Sequence, residues 1–190
     1  MIGKTSANWR IGDPRPAIES PEMGPISATK AIDARREVVF EFLCDLANRP
    51  AFTDHFVSEF RLERLESSGV GAAARMRIEK AGLWMETVIE EVLPPHRILE
   101  RGKGGRVDRI PIRTAWELVE GPGAETCEVT VSFWSEPAHP LDRLRERLGA
   151  ERFYRRQWSL ALSRLKELIE SGEPARRVVV AGAERIESPL

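Results

Sequence analysis

Cysteine is nearly missing from this chain. Only Cys44 and Cys127 occur in 190 residues, too few for the disulfide framework of a small secreted scaffold. One falls in a helical pattern and the other in a strand-like run, so two buried, reduced thiols are expected. Histidine is also scarce: His55, His96 and His139 lie far apart and none shows metal-ligand spacing, so no metal site and no cofactor is expected. Neither sign of charge prevails. Lys and Arg number 29 against 30 Asp and Glu, a net charge of -1, without the basic excess of a nucleic-acid-binding protein. No apolar stretch approaches membrane-spanning length, and "MIGKTSANWRIGDPRP" lacks the apolar core of a signal peptide, so the expected location is cytoplasmic. The one glycine-rich motif, "GKGG" at 102–105, lacks the closing Lys-Ser/Thr of a phosphate-binding loop and reads as a flexible hairpin tip. No serine or cysteine has a base close in sequence, so no nucleophile can be argued.

What is present is enough for one hydrophobic core. Hydrophobic residues make up 42% of the chain, and its length suits one domain with tails. Residues 1–23 are rich in Pro, Gly and Ser without periodicity and read as a flexible arm. Residues 24–172 carry the periodic patterns of a folded domain, and 173–190 read as a tail.

"PISATKAID" alternates as a strand. A helix over about 35–47 follows, with Val38, Val39, Phe42, Leu43 and Leu46 at helical spacing. Asp33 is placed to accept from its first N–H groups, and Pro50 disfavours helix at Arg49 and closes it. "RPAFTDHF" suggests a second short helix or turn. Six strands then follow in "VSEFRLERLES", "AAARMRIEK", "LWMETVIEEVL", "HRILERG", "DRIPIRTAWELVE" and "TCEVTVSFW". In the second, Ala72, Ala74, Met76 and Ile78 share a face, with Arg75 and Arg77 opposite. In the fifth, Ile110, Ile112, Thr114, Trp116 and Leu118 share a face; in the sixth, Cys127, Val129, Val131 and Phe133 do. "LWMETVIEEVL" has no clear phase. From Pro140 the period lengthens: Leu141, Leu144, Leu148, Tyr154, Trp158, Leu162, Leu165 and Ile169 form the stripe of one long helix, with a bend expected near Gly149. Tight turns make successive strands antiparallel, and a curved sheet with one apolar face can bury it on that helix.

The order and spacing of "IDARREVVFEFLCDLANRPAF", "GVGAAARMRI", "ETVIEEVLPPHRIL", "TAWELVEGPGAETCEVTVSF" and the closing helix through "ALSRLKELIE" carry a likeness. Over roughly residues 25–171 the chain resembles the SRPBCC superfamily, START-like or Bet v 1-like, and within it the polyketide cyclase/dehydrase-type proteins. The resemblance implies an α+β helix-grip fold: a curved seven-stranded antiparallel sheet wrapped around the C-terminal helix, with two short helices between strands 1 and 2 closing one end of a cavity. It implies binding of a hydrophobic or amphipathic small molecule (lipid, quinone, sterol or aromatic polyketide), as carrier or sensor.

Candidate ligand-contacting residues follow from the converging faces: Trp116 and Phe133 on the last strands, Tyr154, Trp158 and Leu162 on the long helix, and His55 beside the closing helices. Glu100 and Arg101 take opposite faces of their strand. Either one of them points inward, Arg101 being the binding candidate, or the strand is a solvated edge with both outside. Two other functions compete. A polyketide cyclase/aromatase-like enzyme would need a polar pair in the cavity, Arg101 or Glu100 with His55 or Tyr154. A protein-interaction module would use the tails or the arginines at the helix start, Arg143, Arg145, Arg147, Arg152, Arg155 and Arg156. The same arginines alternate with Asp142, Glu146 and Glu151, which suits a solvated face or a weak contact with an anionic membrane surface.

Overall fold

The alternating segments pair into one seven-stranded sheet in the order β1-β7-β6-β5-β4-β3-β2, every neighbouring pair antiparallel. The computed structural model describes residues 23–79, 82–105, 110–123, 125–136 and 151–172. The strands are β1 (Met23–Ile32), β2 (Val57–Leu62), β3 (Ala73–Ile78), β4 (Leu83–Leu93), β5 (Arg97–Gly105), β6 (Ile110–Glu120) and β7 (Cys127–Ser135). The sheet curls around one long helix, α3 (Glu151–Ser171), which packs chiefly on β1. This is the helix-grip arrangement. Among the described residues no helix is long and apolar enough to cross a membrane.

The strand order explains the helices after β1. β1 and β2 are consecutive in the chain yet lie at opposite edges of the sheet, so their connection must cross its full width. It does so as α1 (Arg36–Cys44), a 3₁₀ turn (Leu46–Asn48) and α2 (Arg49–Thr53). The expected single helix over 35–47 is therefore shorter and broken. Asp45 leaves helical geometry, and its side chain accepts from the Ala47 N–H at 3.0 Å to start the 3₁₀ turn. Pro50 does not stop a helix; it stands in the first turn of α2, where its missing N–H costs nothing. Nor is Asp33 the N-cap of α1. That place belongs to Arg35, without a side-chain cap, while the Asp33 N–H donates to Glu170 Oε1 at 2.7 Å.

The buried face of α1 is Val39, Phe40 and Leu43. Val38, expected inside, is 43% exposed. The expected inner rows of β3, β6 and β7 are buried as read, save Ile110, which is half-buried. The ambiguous phase of β4 has a local cause. A bulge between Ile89 and Glu91 inserts Glu90 into the ladder, so Met85, Thr87 and Ile89 face inward before it and Val92 after it. Residues 102–105 are not a hairpin tip. They complete β5, paired with both β4 and β6. At Gly102 a Cβ would stand 1.8 Å from the Glu86 carbonyl oxygen, so no larger residue fits that approach of strands.

The cysteines are free, Cys127 buried and Cys44 half-buried. Burial pushes both thiols up from their ordinary value. Met23, assigned to the arm from sequence, already pairs in β1. The rest of the expected arm, the expected tail at 173–190, His139, the first part of the long-helix stripe and Gly149 lie outside the described residues.

Candidate functional site

The alternation that buries Ile98 in β5 also buries Glu100, at 2% exposure. A carboxylate taken out of water costs several kcal/mol unless it is paired and fully hydrogen-bonded. Glu100 is both. Arg49 Nη2 donates to its Oε1 at 2.6 Å, Trp116 Nε1 donates to the same oxygen at 2.7 Å, and the Thr87 hydroxyl donates to Oε2 at 2.8 Å. The three donors come from α2, β6 and β4, so the pair ties the crossing helices to the middle of the sheet.

Arg49 is placed by the first turn of α2. Thr53 Oγ1 donates to the Arg49 carbonyl at 2.8 Å, and Asn48 Nδ2 anchors the turn to the Phe42 carbonyl at 3.1 Å. The guanidinium lies 4.7 Å from the centroid of the Trp116 ring and 5.8 Å from that of Phe52, so cation–π attraction adds to the ion pair. Only one guanidinium nitrogen is used on Glu100, and the others have no protein partner among the described residues.

Beside this pair is a cavity of about 10 Å³, lined by Arg49, Thr53, Phe56, Val57, Met76, Met85, Thr87, Glu100, Ile112, Thr114 and Trp158. That is room for about one water. Gly104, further along β5, adds no side chain beside the lining residues Ile112 and Met85. Trp158 closes the helix side, edge-on to Phe56 and Trp116 at 5.5 and 5.6 Å between centroids. It is 3% exposed, and its Nε1 is buried without a hydrogen-bond partner.

Of the residues expected to meet a ligand, Trp158 lines the cavity. Trp116 does not. It stands behind the wall with its N–H committed to Glu100. Phe133 and Tyr154 stack at 4.9 Å and, with Leu162, back Trp158. Arg101 is a correction: it lies on the outer face, 63% exposed, 3.3 Å from Glu90. The strand is central rather than an edge, so its alternation sends Glu100 in and Arg101 out.

His55 sits just after α2. Its Nε2 donates to the Gln157 carbonyl at 3.3 Å, and Arg164 Nη1 donates to its Nδ1 at 3.4 Å. These partners define a neutral imidazole, and burial holds its pKa below the ordinary value. Arg164 also pairs with Asp54. Together they latch the end of α2 to α3. His96 is on the surface, 3.3 Å from Arg36 Nη1. Among the described residues no group of three or more His, Cys, Asp or Glu side chains could hold a metal ion.

Arg49 and Thr87 were not found from sequence. Thr87 could have been, as a hydroxyl in phase with Met85 and Ile89. Glu100 in phase with Ile98 signals a buried charge in need of a cation, but nothing local says the cation comes from residue 49.

A curled antiparallel sheet gripping a long helix defines a helix-grip domain. Residues 23–170 match the family described as "Polyketide cyclase / dehydrase and lipid transport", and the chain belongs to it. No curated protein matches the chain. Among solved structures, it is similar to a START superfamily protein from Mycobacterium smegmatis at 14% identity and TM-score 0.54, covering 77% of this chain and 97% of that one. It is also similar to a protein of Thermus thermophilus (15% identity, TM-score 0.61, covering 80% and 100%). A Helicobacter pylori protein aligns at 10% identity and TM-score 0.63, covering 86% and 98%. At these identities the likeness is one of fold.

Proposed function

We propose that the chain binds an apolar or amphipathic small molecule, a lipid, quinone, sterol or aromatic polyketide, between the concave face of the sheet and α3, as carrier or sensor. The observation that carries this reading is the Arg49–Glu100 pair at the wall of a cavity otherwise lined by apolar side chains and three threonines. A core built for stability alone does as well with apolar residues there, whereas a site that must orient an amphipathic molecule needs a few fixed polar groups among apolar ones. The family's association with lipid transport supports the same reading.

The cavity holds only about 10 Å³, too little for a molecule of these classes, so loading requires it to widen, as it would if α2 moved away from α3 and the sheet. The contacts that would then part are those of Arg49 with Glu100, His55 with Gln157, and Asp54 with Arg164. The arginines at the helix start support a membrane contact less well: of those described, Arg155 is paired with Glu151 at 2.6 Å.

The test is native mass spectrometry of the purified protein, followed by tryptophan-fluorescence titration with a quinone, a sterol, a fatty acid and an aromatic polyketide. A co-purified apolar molecule, or a saturable change with one class, is expected. Neither appearing would overturn the proposal.

A second reading, a polyketide cyclase-like enzyme, draws on the unused Arg49 N–H groups, which could stabilise charge developing on a carbonyl oxygen. Glu100 would not serve it as a base, since three donors already hold the carboxylate. Turnover of a poly-β-keto substrate that is lost in Arg49→Gln would favour this reading.

A further inference from the structure

Besides Arg49, Glu100 and Trp158, three threonine hydroxyls line the cavity, and two of them have their protons committed, Thr53 to the Arg49 carbonyl and Thr87 to Glu100. The one carboxylate, Glu100, already accepts from Arg49, Trp116 and Thr87. Donors, in contrast, are left over. Trp158 lines the cavity at 3% exposure with its Nε1–H unpartnered, and Arg49 keeps N–H groups beyond the one spent on Glu100. Leaving the buried Trp158 N–H unmet is costly, so a ligand that offers it an acceptor gains what one lacking it forgoes. The charges are balanced: among the described lining residues Arg49 is the only cation, and Glu100 neutralises it at 2.6 Å. A buried anionic ligand would add a second negative charge with no second cation to meet it.

We infer that the polar end of the molecule held here is a neutral hydrogen-bond acceptor, a carbonyl oxygen, received by the Trp158 indole N–H beside Arg49, and that carboxylate ligands are turned away. The inference rests on the ligand-binding reading above and sharpens it from "amphipathic" to one functional group. It separates ketones, quinones and esters, which the site would favour, from fatty-acid anions and from plain hydrocarbons.

Three probes of nearly one shape test it: 2-acetylnaphthalene, which carries the carbonyl; 2-ethylnaphthalene, which lacks it; and 2-naphthoate, which carries the charge. They are titrated at neutral pH into protein labelled with ¹⁵N at the tryptophan indoles. The acetyl compound should bind about tenfold more tightly than the ethyl compound, the worth of one well-made neutral hydrogen bond, and 2-naphthoate should bind most weakly. The Trp158 indole proton should move downfield with the acetyl compound and not with the ethyl one. In Trp158→Phe the acetyl-to-ethyl ratio should fall to near one. If that variant folds poorly, the indole shift in the unaltered protein decides alone.

Equal affinity for the acetyl and ethyl compounds means a water suffices for the indole; that result, or tightest binding of 2-naphthoate, overturns the inference and leaves the ligand-binding reading standing. An acetyl preference without movement of the Trp158 proton also overturns it, since the donor is then elsewhere. If neither the naphthalenes nor the quinone, sterol, fatty acid and polyketide bind saturably, the ligand-binding reading falls, and this inference with it.

Discussion

Glu100 shows what one buried charge demands of its neighbours. Each of its partners comes from a different element, and each would be left without a mate if the carboxylate were removed. Breaking a buried pair by deleting one member strands the other charge and typically costs about 3–5 kcal/mol. Arg49→Met should therefore lower the unfolding free energy by about that much in urea denaturation. Adding Glu100→Gln should restore most of the loss, because the amide oxygen still accepts from Trp116 while the stranded charge is gone. If the double variant is as unstable as Arg49→Met alone, the ion pair is not what holds α2 down. Trp158 is a harder residue to vary. Its ring is packed edge-on against Phe56 and Trp116, so Trp158→Ala should cost about 3–5 kcal/mol of stability as well as any ligand contact. Trp158→Phe keeps a ring and removes the N–H, which is why it serves the binding test.

Among the elements, α1 gives a clean comparison between its two faces. Leu43 is fully buried and Val38 is 43% exposed. Leu43→Asp should destabilise by several kcal/mol because it buries an unpaired charge, while Val38→Asp should change stability by no more than about 0.5 kcal/mol. Thermal melts of the two variants decide whether the helix is seated as described. β5 depends on backbone approach at Gly102, where an added Cβ meets backbone rather than a movable side chain. Gly102→Ala should cost about 1–3 kcal/mol or more, checked by chemical denaturation.

The latch at the end of α2 has a pH dependence. The folded-state pKa of His55 lies below its ordinary value of 6.5 because of burial, so the unfolded chain takes the proton first. This contribution to stability is complete above pH 6.5 and is lost as pH falls below it through the lowered folded value. Urea denaturation between about pH 7 and 5 should show stability declining in the unaltered protein and declining less in His55→Gln. Identical profiles would show that His55 does not contribute.

At the scale of the whole molecule, ligand binding and stability are linked. A molecule that binds only the folded state at about 100 times its Kd adds about 2.7 kcal/mol, which for a chain of this size raises Tm by several degrees. A binder found by fluorescence that leaves Tm unchanged would be binding outside the core. The sheet order explains why the cavity has a cover at all. With β1 and β2 at opposite edges, the connection between them must cross the mouth of the curl, and its apolar residues can be buried only downward, on the inner face.

Much of this was open to reading from periodicity, because periods of two and of nearly four state directly which side chains share a face. The alternation of β3, β6 and β7, the stripe of α3 and the helix-rich crossing after β1 were all legible, and so was the likeness to the helix-grip family. Local exceptions were not. The bulge at Glu90, the break at Asp45 and the central position of β5 depend on what lies across the ladder. The site was the least legible part. Sequence placed Glu100 and Arg101 on opposite faces without saying which was inside, and it assigned Arg49 no role. Facing and spacing are properties of one segment, whereas the pairing of Arg49 with Glu100, 51 residues apart, is a property of the folded chain. Pattern along the chain was therefore enough to set the elements, their order and, for most of them, the face that is buried. Which buried polar groups meet was settled only in three dimensions, because an ion pair forms between segments that become neighbours once the sheet has curled.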